Sequence, residues 1–165
     1  MKLVTIAFAM LLCVCFLNET AAQSAAAPYK ADFSSSFKIG EASYANMILN
    51  LWKDWDDNQL TRHDYFSDTV TMWLSDGTVT HGKAAGLEGA TKYRGSMTKS
   101  TSTLHAWVPL VATDLNLNMV GVWGMEEDSF AGGKTETREI HEVWWFNKDG
   151  KIVGMRQWTA VPGKM

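Results

Sequence analysis

The chain has 165 residues, a net charge of −3 and eight tryptophans. That length suits one domain, and without a basic stripe to neutralise phosphates nucleic acid is not expected as a partner. Each tryptophan brings a large apolar area and one N–H that wants an acceptor, so this many point to a wide aromatic interior or groove.

Lys2 precedes an apolar run from Leu3 to Leu17, followed by Asn18, Glu19 and small residues up to Ala22. A charged start, a short apolar stretch and a small-x-small end make a secretory signal peptide over residues 1–22. An exported chain, periplasmic or secreted, is therefore expected, with no stable membrane span after cleavage. Both cysteines, Cys13 and Cys15, fall inside this segment. The exported part must then be held by its core rather than by disulfides. Residues 23–36, rich in Ala and Ser, read as a flexible leader, and residues 37–161 as the domain.

From Phe37 to about Asn58, the spacing of Ala42, Ala45, Met47, Ile48, Leu51, Trp52 and Trp55 predicts a helix with Ser36 as its cap. Thr69–Leu74 and Thr78–His81 read as a hairpin turning at Ser75-Asp76-Gly77. Gly82 to about Lys99 reads as a second helix, weakened by three glycines. Four long strands follow, at residues 102–112, 116–126, 135–147 and 151–161, with Asp128–Gly133 read as a loop. Helices first and strands after predict an α+β domain: a curved antiparallel sheet wrapped around a long N-terminal helix. Alternation along the third long strand places Arg138, Ile140, Glu142, Trp144 and Phe146 on one face, read as the inner one.

The run His141-Glu142-Val143-Trp144-Trp145-Phe146-Asn147-Lys148-Asp149-Gly150-Lys151-Ile152-Val153, continued by Met155-Arg156-Gln157-Trp158, resembles the last hairpin of SnoaL-like proteins of the nuclear transport factor 2-like superfamily. Tyr65-Phe66-Ser67-Asp68-Thr69-Val70 and His81-Gly82-Lys83 fit the same pattern. The resemblance covers about residues 37–161. It implies a cone-shaped domain with a deep pocket, commonly a homodimer through the sheet, and no cofactor or metal. It also implies that Glu142 stands where ketosteroid isomerases hold a protonated acid, a state that an apolar site favours. The base those enzymes carry on the first hairpin has no counterpart in Met72-Trp73-Leu74-Ser75.

Glu142 also reads as a carboxylate paired with a cation such as Arg138 or Arg156. His105, beside Trp107, is the histidine best placed to act with it as acid or base. The four histidines lack close ligand spacing, so a zinc site is not expected. Tyr44, Trp55, Trp73, Trp107, Trp123 and Trp144 are candidates to line a pocket. The sequence thus supports binding of a small apolar or aromatic molecule, with two alternatives. One is a cofactor-independent lyase, isomerase or cyclase using Glu142 and His105. The other is a dimerisation or assembly module that uses the outward-facing Trp145.

Overall fold

The computed structural model describes residues 28–163; the expected signal peptide and the first part of the leader lie outside them. The compact unit runs from Ser34 onward. Its elements are β1 (Phe37–Ile39), α1 (Ala42–Asp56), β2 (Phe66–Trp73), β3 (Val79–His81), α2 (Lys83–Gly95), β4 (Met97–Ala112), β5 (Leu117–Phe130), β6 (Thr135–Phe146) and β7 (Ile152–Ala160). One curved seven-stranded sheet runs β1-β4-β5-β6-β7-β2-β3. The sheet is mixed rather than wholly antiparallel, because β2 lies parallel to β7. That pairing joins strands far apart in sequence, where no hairpin fixes the direction.

Helix α1 starts at Ala42, where its apolar spacing begins, and not at the expected Phe37. Phe37–Ile39 pairs with Leu110–Ala112 as an edge strand instead. Ser36 is not the helix cap: its hydroxyl bonds to that of Thr113 at 2.6 Å. Ala45, Ile48, Leu51 and Trp52 form the buried face of α1, and Asn58, at φ +55°, ends its last turn in the left-handed region. Arg94, at the end of α2, is buried and donates to the carbonyls of Trp55 (2.6 Å) and Asp56 (2.8 Å). The bond to Asp56 serves a carbonyl of the kind that a helix end leaves without a backbone partner, and the two bonds tie the helices together.

The core lies between α1 and the inner face of the sheet, where Ile48, Leu51 and Trp52 meet Val120, Val122, Ile140, Trp144 and Phe146. Glycine is required where Trp52 crosses the sheet: a Cβ on Gly124 would stand 2.9 Å from the Trp52 ring and 2.8 Å from the Thr103 carbonyl. The first hairpin turns as its sequence predicts, with Gly77 at φ +88°. Asp128, assigned from sequence to a loop, is instead a fully buried residue of β5.

Candidate functional site

Strand β6 alternates as expected, with Ile140, Glu142, Trp144 and Phe146 buried toward α1. Glu142 is 6% exposed, and among the described residues no cation lies within ion-pair distance of it. Three neutral N–H groups serve it instead. The indoles of Trp52 (2.8 Å) and Trp144 (3.1 Å) donate to Oε2, and the Gln157 amide donates to Oε1 at 2.9 Å. Burial raises the Glu142 pKa above the ordinary carboxyl range, and the three donors pull it partly back.

Neither Arg156 nor Arg138 pairs with Glu142. In the β6–β7 hairpin Phe146 faces Ile152, but Trp145 faces Gly154, so one extra residue enters β7. This bulge puts Gln157 opposite Glu142 and turns Arg156 to the outer face, where its guanidinium lies 5.4 Å from the Trp73 ring centroid. Arg138 sits four residues away on β6, beyond Ile140 on the same face and opposite Glu126.

Gln157 connects this buried acid to the surface. Its Oε1 accepts a bond from the Ser75 hydroxyl at 3.4 Å. It also lines an open groove of about 360 Å³ with Trp73, Leu74, Ser75, Thr78, Arg156 and Trp158 among the walls. The groove exists because β2 ends at Trp73, opposite Arg156, while β7 continues to Ala160. The turn after β2 swings away and leaves a notch beside the end of β7.

A second buried polar group lies further along the same inner face. Glu126 and Asp128 of β5 share the Arg138 guanidinium, whose Nη2 donates to both, at 3.0 Å to Glu126. Ser100 contacts both carboxylates from β4, at 3.3 and 2.7 Å, and accepts from the Trp55 indole at 3.1 Å. Tyr93 covers Arg138 and takes a bond from its Nη1 at 3.0 Å. Burial first, then the charge of Asp128, pushes Glu126 up to about 7 against the pull of Arg138.

The sequence-predicted residues do not assemble around one pocket. His105 occupies a bulge in β4, between Leu104 opposite Gly124 and Ala106 opposite Trp123. The bulge turns it to the outer face, where Nε2 lies 3.3 Å from Glu139. Glu139 and Glu142, three residues apart on one strand, face opposite ways. The expected pairing of Glu142 with His105 is therefore not formed.

Trp107 stays in the lateral row of Val122, Glu142 and Gln157 but is 49% exposed. Tyr44 packs on Phe146 and accepts from Asn118 at 3.1 Å. Trp55 serves the Ser100 cluster, Trp144 serves Glu142, and Trp123 stacks on His141 on the outer face with Trp158 on that ring's other side. Of the named candidates only Trp73 lines the groove. Val70 and Met72 fill the first-hairpin positions that face the core. Sequence reasoning did not single out Gln157, which lines the groove, or the cluster of Ser100, Glu126 and Asp128. A count back from the Asn147–Lys151 turn finds Gln157 only if the bulge is known.

Among the described residues, no group of three or more His, Cys, Asp or Glu is arranged to hold a metal ion. No helix among them is long and apolar enough to cross a membrane.

No family model matches the chain, and no curated protein matches it. Solved structures do. An NTF2-like protein of unknown function from Cytophaga hutchinsonii is similar over 73% of this chain and 100% of its own, at 16% identity and a TM-score of 0.55. A SnoaL-like protein of unknown function from Burkholderia thailandensis aligns over 74% of this chain and 99% of its own, at 13% identity and a TM-score of 0.54. A protein with a ketosteroid isomerase-like fold from Catenulispora acidiphila, in complex with trimethylamine, aligns over 67% of this chain and 83% of its own, at 13% identity and a TM-score of 0.52. The helix-on-sheet layout and these likenesses together establish that the chain has the nuclear transport factor 2-like fold.

Proposed function

We propose that this is an exported binding protein for a small planar molecule, taken up in the groove between the first hairpin and the end of β7. The observation that carries this reading is Gln157, which lines the groove and hydrogen-bonds the buried Glu142 behind it. Its amide is held at both ends, by Glu142 and Ser75. One N–H and one lone pair remain for a ligand. Trp73 and Trp158 add aromatic wall, and a few fixed polar groups among aromatic surfaces are what small-molecule sites need. A protein of the same fold binds trimethylamine. Binding is favoured over turnover because the groups bonded to Glu142 are two indoles and an amide. None of them is an acid or base near neutral pH.

The test is intrinsic fluorescence of the purified protein titrated with a broad panel of planar compounds, for wild type, Trp158→Ala and Gln157→Leu. The expected result is saturable quenching by at least one compound, weakened tenfold or more by both substitutions while circular dichroism stays native. Saturable binding that neither substitution alters would place the site elsewhere, and no saturable binding by any compound would end the reading.

A second reading, a homodimer through the outer face of the sheet, is supported by the exposed Trp123 and Trp158 stacked on either side of His141. Sedimentation should then show a dimer that Trp123→Glu converts to monomer. A wild-type monomer at all concentrations would rule it out.

A further inference from the structure

This inference rests on the reading of the groove as the binding site and concerns what kind of molecule that groove accepts. The walls contain one formally charged side chain, Arg156, and no carboxylate. The nearest acid in sequence, Asp76, is engaged with the Thr78 backbone N–H at 2.8 Å. Arg156 is exposed, and among the described residues no acid lies within ion-pair distance of it. Its guanidinium is nonetheless held in place over the Trp73 ring, at 5.4 Å from the centroid. Stacking of this kind fixes the plane of the group while its edge N–H donors stay free.

The geometry around Arg156 also sets the shape of the partner. Trp73 faces Arg156 across the β2–β7 pairing. Trp158 stands two residues further along β7 on the same face, about 7 Å away by strand geometry. A ring against Trp158 would therefore bring a directly attached anionic group to the guanidinium. The free edge of a guanidinium matches the two oxygens of a carboxylate. With a single cation present, a monoanion is balanced and a phosphate dianion is not.

We propose that the groove selects planar aromatic molecules bearing a carboxylate, with Arg156 as the anion contact and Trp158 as the ring contact. Gln157 then meets the polar edge of the ligand from the inner side.

The experiment compares naphthalene-2-carboxylate with the neutral naphthalene-2-carboxamide, by fluorescence titration of wild type, Arg156→Gln and Arg156→Lys. The carboxylate is expected to bind wild type at least tenfold more tightly than the amide. Arg156→Gln should bring the carboxylate to the level of the amide, and Arg156→Lys should restore part of the difference. Equal binding of the two probes to wild type, unchanged in Arg156→Gln, would overturn the choice of ligand class and leave the groove standing. No saturable binding of either probe would overturn the proposal, and the broad panel of planar compounds would then decide the groove reading on its own.

Discussion

Two buried acidic regions share the inner face of one sheet and are compensated in opposite ways. Glu142 is held by neutral N–H groups alone, from Trp52, Trp144 and Gln157. Glu126 and Asp128 are held by a cation, Arg138, and closed over by Tyr93. Removing a carboxylate from water costs free energy that only good partners offset. A cation offsets more of it but closes the site, since here both terminal nitrogens of Arg138 are engaged, Nη1 by Tyr93 and Nη2 by the two carboxylates. Neutral donors leave the acid less stabilised, and here one of them, Gln157, keeps a face toward a groove. The difference teaches where a ligand can be felt: the neutral node reaches the surface, and the ion-paired cluster locks α1 and α2 to the sheet.

Arg138→Met breaks the comparison most severely. It strands two buried carboxylates, and stability measured by urea unfolding at neutral pH should fall by about 3 kcal/mol. A loss under 1 kcal/mol would mean that the cluster does not need its cation.

The pH dependence of stability should separate the two regions next. Glu126 has a pKa of about 7 in the fold, raised from its ordinary 4.5. Below 4.5 both folded and unfolded chains carry the proton, so Glu126 adds no pH dependence to stability. Between 4.5 and about 7 the unfolded chain ionises first, and stability falls as pH rises. Above about 7 the loss from Glu126 is complete, at roughly 3 kcal/mol. Urea midpoints at pH 5 and pH 8 should therefore differ more in wild type than in Glu126→Gln. Equal differences in the two proteins would contradict the assignment.

The smallest change is expected at Glu142→Gln. The amide keeps an oxygen for the two indoles, and Gln157 can rotate its own amide to accept where it had donated. Stability should change by no more than about 1 kcal/mol, the scale of one neutral hydrogen bond. A loss several times larger, in the same urea assay, would show that an ionised carboxylate is needed there.

Much of the fold was legible in the sequence, and the limits have physical causes. The helix pattern, the hairpin at Gly77 and the burial of Glu142 follow from periodicity and turn chemistry, which are local. Partner choice is not local. One extra residue near Gly154 decides that Gln157, and not Arg156, meets Glu142. One extra residue at His105 sends that histidine to the outer face, away from Trp107. A bulge leaves little mark on composition but inverts every side chain beyond it. Asp128 was missed for a related reason: an acid shortly before two glycines reads as a turn until the Arg138 guanidinium is seen to reach it from β6. The groove depends on where β2 stops beside a strand about 80 residues later in the chain, which no local pattern records.

The most direct test of the central claim, that ligand enters the groove and is felt at Glu142 through Gln157, is a two-dimensional NMR titration reading the eight indole N–H signals. With a bound planar compound, the Trp73 and Trp158 signals should shift most, and those of Trp52 and Trp144 should follow at the same ligand concentrations. In Gln157→Leu the second response should vanish while the first persists. Shifts confined to Trp107 or Trp123, with Trp73 and Trp158 unmoved, would contradict the account.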